Sequence, residues 1–167
     1  MRLRSSIVLA GALVLATAAA TSAGRASRDQ QARPKGTPAA TKVIMQVYKS
    51  PSCGCCKTWV ERMQAAGFDM RVTDLSEAAL QKEKARLGVG DNLQSCHTAV
   101  VNGYVVEGHV PAADIQRMLK EKPKIAGIAA PGMPRGSPGM EVPGGAKDPY
   151  DVIAFTKAGK TSVYASH

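Results

Sequence analysis

Residues 43–60 read Val-Ile-Met-Gln-Val-Tyr-Lys-Ser-Pro-Ser-Cys-Gly-Cys-Cys-Lys-Thr-Trp-Val, and the fold turns on them. Val43, Ile44, Met45, Val47 and Tyr48 form a short apolar run closed by Ser50-Pro51-Ser52, the pattern of a buried strand. Beyond the cysteines, Trp59, Val60, Met63 and Ala66 recur at helical spacing, so a helix is predicted from about Cys56 to a stop at Gly67. Cys53, Cys55 and Cys56 thus sit at a strand-to-helix junction. There the unpaired amides and the positive end of the helix dipole favour a thiolate, which is either reactive or metal-binding.

Downstream, residues 70–75 read as a second strand and Ser76 as the cap of a second helix running to about Leu87. Leu80 and Leu87 are placed inward on it, with Lys82, Lys84 and Arg86 outward. Residues 98–101 and 104–107 flank Asn102-Gly103, the dipeptide that best tolerates the positive φ angles of a two-residue hairpin turn. Pro111 opens a third helix whose buried face is Ile115, Met118 and Leu119, ending before Pro123. Residues 123–149 hold six Pro and six Gly, so they are expected to be one long irregular wrap. Residues 152–155 and 162–164 read as a C-terminal β-hairpin.

Upstream of the domain, Arg2 and Arg4 precede an apolar run at residues 7–16 and small residues through Ala23, the order of a secretory signal peptide spanning 1–23. The run is shorter than the roughly 20 residues that cross a bilayer, so no membrane span is expected after cleavage. Residues 24–41 carry no aromatic or large aliphatic side chain and read as a basic, disordered linker. The folded domain is then 42–167, in an oxidising, periplasmic compartment. The whole chain's net charge of +9, or +7 once Arg2 and Arg4 are removed, is read as solubility and a basic tail. Aromatic residues are only 4% of the chain, too few for base-stacking platforms, and nucleic acid is excluded as a partner. The sequence shows no carboxylate pair, serine triad or phosphate-cradling loop, so hydrolase and kinase chemistry is set aside.

The β-α-β-α-β-β-α order, with Cys-x-x-Cys opening the first helix, resembles the thioredoxin fold, an α/β class. In that fold the start of the third strand packs against the cysteine loop, which would bring Cys96 to Cys53, Cys55 and Cys56. Thioredoxins carry a cis-proline at that point, whereas Cys96-His97-Thr98 stands here. Four soft sulfurs suit Cu(I) or Zn(II), and His97 adds a borderline nitrogen. Adjacent Cys55 and Cys56 suit bridging thiolates of a multinuclear Cu(I) site better than one tetrahedral zinc. Two ordinary disulfides are the alternative, although such short loops constrain an unfolded chain little. Lys57 stands where a haem-attachment motif needs histidine.

Four stretches together resemble the CopG-like family of small periplasmic copper-resistance proteins. They are residues 52–57 (Ser-Cys-Gly-Cys-Cys-Lys), 96–99 (Cys-His-Thr-Ala), 106–111 (Val-Glu-Gly-His-Val-Pro) and 132–141 (Gly-Met-Pro-Arg-Gly-Ser-Pro-Gly-Met-Glu). The resemblance spans about residues 43–164. It implies a thioredoxin-like fold in which the four cysteines bind a polynuclear Cu(I)-thiolate cluster and change redox state with copper. It also implies a copper-dependent oxidoreductase role. The expected metal set is Cys53, Cys55, Cys56, Cys96 and His97, with His109, Met133 and Met140 as further candidates. Copper ions and other periplasmic copper-handling proteins are the expected partners. The competing function is a thiol-disulfide oxidoreductase using Cys53 and Cys56.

Overall fold

A computed structural model describes residues 42–167. The expected signal peptide (1–23) and linker (24–41) lie outside the described residues. The elements are β1 (Ile44–Lys49), α1 (Gly54–Ala65), β2 (Asp69–Asp74), α2 (Glu77–Arg86), a single 3-10 turn (Asp91–Leu93), β3 (His97–Val101) and β4 (Tyr104–Gly108). They continue as α3 (Ala112–Glu121), β5 (Gly127–Ala130), β6 (Asp151–Phe155) and β7 (Thr161–Ser166). All seven strands join one sheet in the order β2-β1-β3-β4-β5-β6-β7. The β1/β2 and β4/β5 pairs are parallel and the others antiparallel, giving a mixed α/β fold.

The sheet is covered on both faces, and strand alternation decides which side chain serves which face. Met45, Val47, Ala99, Val101, Val106, Ile128 and Ala130 meet Trp59, Val60 and Met63 of α1 and Ile115 and Met118 of α3 in the larger core. Val105, Ala129 and Phe155 point the other way, into a smaller core with Val89 and Leu93 that follow α2. Each fully buried Val, Ile, Met or Phe side chain among them contributes about 1.5–3 kcal/mol relative to exposure. Among the described residues, no helix is long and apolar enough to cross a membrane.

Local chemistry places the helix ends. Ser76 Oγ accepts from the Ala79 amide at 3.3 Å and caps α2, as expected. Asn102 and Gly103 take φ of 47° and 84° in the turn between β3 and β4. Helix α1 begins at Gly54, with Cys53 itself as the cap, two residues before the expected start.

Two expectations fail. Residues 123–149 are not wholly irregular, because β5 lies among them and pairs with both β4 and β6. Its sequence Gly-Ile-Ala-Ala is buried throughout and lacks the alternation of a half-exposed strand, as strands covered on both faces do. Gly127 is required there: a Cβ would lie 2.2 Å from the Val105 carbonyl oxygen. The terminal hairpin β6-β7 is consequently an extension of the main sheet. The second failure is Lys84, expected outward but fully buried against β3 and β4.

Candidate metal centre

The β1–α1 junction and the start of β3 meet as neighbours, since β1 pairs with β3 and aligns Lys49 with His97. This register carries Cys96 to the first turn of α1. The sulfurs of Cys53, Cys55, Cys56 and Cys96 all lie within 4.8 Å of one another. Cys53 and Cys56 form a disulfide, with Cα atoms 5.3 Å apart, while Cys55 and Cys96 are free thiols. Cys55 Sγ stands 3.5 Å from Cys53 Sγ and 3.7 Å from Cys96 Sγ. Cys56 is fully buried and the other three are half-buried, so the group keeps partial access to solvent.

Two imidazoles complete the cluster. Cys96, His97 and His109 also present ligand atoms within 4.8 Å of one another. His109 Nε2 is 2.9 Å from Cys96 Sγ, and His109 Nδ1 is 2.9 Å from the Pro138 carbonyl oxygen. A carbonyl only accepts, so Nδ1 carries the proton and the Nε2 lone pair faces the sulfur. His97 packs between the Trp59 ring at 4.4 Å and the His109 ring at 4.9 Å. Its Nε2 is buried with no hydrogen-bond partner among the described residues. Its Nδ1 lies 3.9 Å from Cys96 Sγ, and a buried imidazole set against the thiols in this way fits a site built to accept a cation.

Burial sets the protonation. It holds both His97 and His109 below the ordinary histidine value, so both are neutral donors of a lone pair. Burial, and then the neighbouring Cys55, push the Cys96 thiol up to about 12. Cys96 is therefore a neutral thiol at physiological pH until a positive charge arrives; a coordinating cation supplies one and displaces the proton.

The Gly/Pro-rich wrap covers the site. Gly139, with φ of +86°, brings its backbone against Cys55 and Trp59 in the first turns of α1. Pro138 orients His109, and the Gly132 carbonyl accepts from Ser95 Oγ beside Cys96. Glu141 accepts from the Gly139 amide at 2.9 Å and pairs with Arg62 of α1 at 3.2 Å. Met133 is 56% exposed and Met140 half-buried in this wrap. Trp59 Nε1 donates to the Val110 carbonyl at 3.0 Å, a packing role as its helical spacing suggested.

Beneath Cys96 lies a group that sequence reasoning missed. Lys84 Nζ pairs with Glu107 Oε1 at 2.5 Å, both side chains wholly buried. Thr98 Oγ1 accepts from Lys84 at 3.0 Å and donates to Glu107 Oε2, and the Ser95 amide donates to Glu107 Oε1 at 2.7 Å. A signal was present in the spacing: Lys84 shares the i, i+4, i+7 stripe of Leu80 and Leu87, and Glu107 interrupts an otherwise apolar strand.

A mixed sheet that gathers four cysteines and two histidines at one helix start defines a small thiol-rich α/β protein. Two solved structures, named copper resistance protein copG, form 1 and form 2, are 46% and 47% identical to this chain. Each has a TM-score of 0.68 and covers 75% of this chain and 98% of its own. The chain belongs to the CopG family of copper resistance proteins. Residues 93–140 also match a family described as a protein of unknown function, DUF411. No curated protein matches the chain.

Proposed function

We propose that this chain is an exported, periplasmic protein that captures Cu(I) in a polynuclear cysteine-thiolate site and acts in copper homeostasis and resistance. Cys53, Cys55, Cys56 and Cys96 supply the thiolates, His97 a nitrogen, and His109 a further one; Met133 and Met140 are outlying thioether donors. The observation that carries the reading is the mutual approach of four sulfurs within 4.8 Å. Two sulfurs each about 2.3 Å from one metal lie at most about 4.6 Å apart. The separations of 3.5 Å and 3.7 Å suit thiolates that share metals. Sulfur and imidazole donors without a carboxylate suit soft Cu(I) and not Mg(II) or Ca(II). The copper-resistance names of the similar structures support the same cargo, and other copper-handling proteins of that compartment are the partners that fit it.

A second reading is thiol-disulfide exchange through Cys53 and Cys56, favoured by the disulfide at the start of α1. The β2-β1-β3-β4 order with α1, α2 and α3 supports a thioredoxin-like description of this part of the domain. The two readings share a chemistry. Closing Cys53–Cys56 releases two electrons and two protons, enough to reduce two Cu(II) ions to Cu(I).

Anaerobic titration of the reduced chain with Cu(I), in competition with a chromophoric chelator, tests the first reading. Tight binding of more than one copper per chain is expected. Failure to compete, with fast exchange against a partner disulfide, would move the function to Cys53 and Cys56.

A further inference from the structure

The Cys96-His97 dipeptide is gripped from both sides by one buried carboxylate. Glu107 Oε1 accepts from the Ser95 amide just before it, and Glu107 Oε2 accepts from the Thr98 hydroxyl just after it. Thr98 and Glu107 are also direct cross-strand partners of β3 and β4, so the grip is built into the register. Lys84 reaches from α2 to both, bonding Thr98 Oγ1 and Glu107 Oε1.

Stability alone is a poor reason for this arrangement. Burying two charges costs solvation that their attraction rarely repays, and apolar residues of similar volume commonly serve as well. What apolar residues lack is a directional hold on the Ser95 amide. On β3, His97 faces Trp59 of α1, while Thr98 turns to the opposite face and Lys84. Fixing Thr98 from behind thus fixes the strand start that presents Cys96 and His97 to the cysteines.

We infer that Lys84, Glu107 and Thr98 are positioning residues that hold Cys96 and His97 in register with the cysteine turn of α1. In its copper readout the inference rests on the Cu(I) reading above; in its thiol readout it does not.

The test uses the full chain and its Thr98→Val, Thr98→Ser and Glu107→Gln variants. Thr98→Val keeps shape and strand propensity, so it reports even where Glu107→Gln does not fold. The first readout is Cu(I) affinity of the reduced protein together with its thiolate-to-copper charge-transfer spectrum. The second is the rate at which a diazenedicarboxamide oxidant joins Cys55 to Cys96 with Cys53–Cys56 already closed, followed by peptide mapping. In that step both thiols lose their protons, the S–S bond forms, and the two electrons and two protons pass to the diazene as a hydrazine.

Thr98→Val is expected to weaken Cu(I) binding and slow the Cys55–Cys96 reaction about tenfold each, the size of a lost hydrogen bond to a charged group. Thr98→Ser is expected to restore both. A folded Thr98→Val chain with unaltered affinity, spectrum and cross-linking rate would overturn the inference, whatever its melting temperature. Should the unsubstituted chain bind no Cu(I), the copper reading fails, and the cross-linking rate alone decides the positioning role.

Discussion

The imidazole of His109 joins the Cys96 sulfur, 2.9 Å from its Nε2, to the Pro138 carbonyl, 2.9 Å from its Nδ1. One side chain thereby couples the start of β3 to the proline-rich wrap. The proton on Nδ1 is committed to Pro138, so the lone pair on Nε2 has a fixed direction. A metal-binding histidine needs that arrangement at its far nitrogen.

His109→Ala is accordingly expected to lower Cu(I) affinity by about tenfold or more, the usual scale for an orienting partner or ligand. Chelator competition on the reduced chain measures it. Unchanged affinity would remove His109 from the site and leave it as an anchor of the wrap.

Cys96→Ser is expected to lower Cu(I) affinity about as much as Cys55→Ser. The two sulfurs lie 3.7 Å apart, one from α1 and the other from the start of β3, close enough to serve one metal together, so loss of either removes a donor of the same kind. Copper counting and competition on both variants check this. Full binding by Cys96→Ser would confine the site to residues 53–56 and sink the four-sulfur set.

Much of this geometry is legible in the sequence, because the groups concerned follow strong local rules. The apolar run before Cys53, the helical spacing of Trp59, Val60 and Met63, and the Asn102-Gly103 turn each specify one element. Where prediction fails, competing terms are close in size. The strand β5 is hidden because Gly127, Ala129 and Ala130 have little strand preference; burial on both faces and a tight approach to Val105 override it. Lys84 is misplaced because charge outweighs position in a single-sequence reading, although its stripe is that of Leu80 and Leu87. Glu107, distant in sequence and brought in by the β3-β4 register, supplies the opposite charge and Thr98 a second acceptor, and together they make that burial tolerable. The Cys96–His109–Pro138 chain spans three separate segments and has no local signature at all.

Copper capacity is expected to depend on the state of Cys53 and Cys56. With their disulfide closed, the chain has only two free thiols, Cys55 and Cys96. Treatment with a phosphine reductant, which delivers two electrons to that bond, is expected to raise the copper bound per chain. Metal analysis of the same preparation before and after reduction, under anaerobic conditions, decides the matter. Equal capacity in both states would show that Cys53 and Cys56 contribute no ligands.

The wrap can be tested separately from the ligands by comparing two glycines. Gly139 and Gly144 have nearly the same φ, +86° and +85°, so an added methyl strains both backbones by about 1 kcal/mol. Their surroundings differ. At Gly139 a Cβ would lie 2.8 Å from the Cys55 carbonyl oxygen and 2.9 Å from the Trp59 nitrogen, whereas at Gly144 it would meet nothing within 4 Å. Gly144→Ala is therefore expected to lower stability modestly and leave copper binding alone. Gly139→Ala must also lift the wrap from α1, carrying the Pro138 carbonyl away from His109. It is expected to destabilise the fold further and to speed copper transfer to a chelator. Denaturant melts and stopped-flow transfer measure the two effects. Equal transfer rates in the two variants would mean that the wrap neither shields the site nor holds His109 in place.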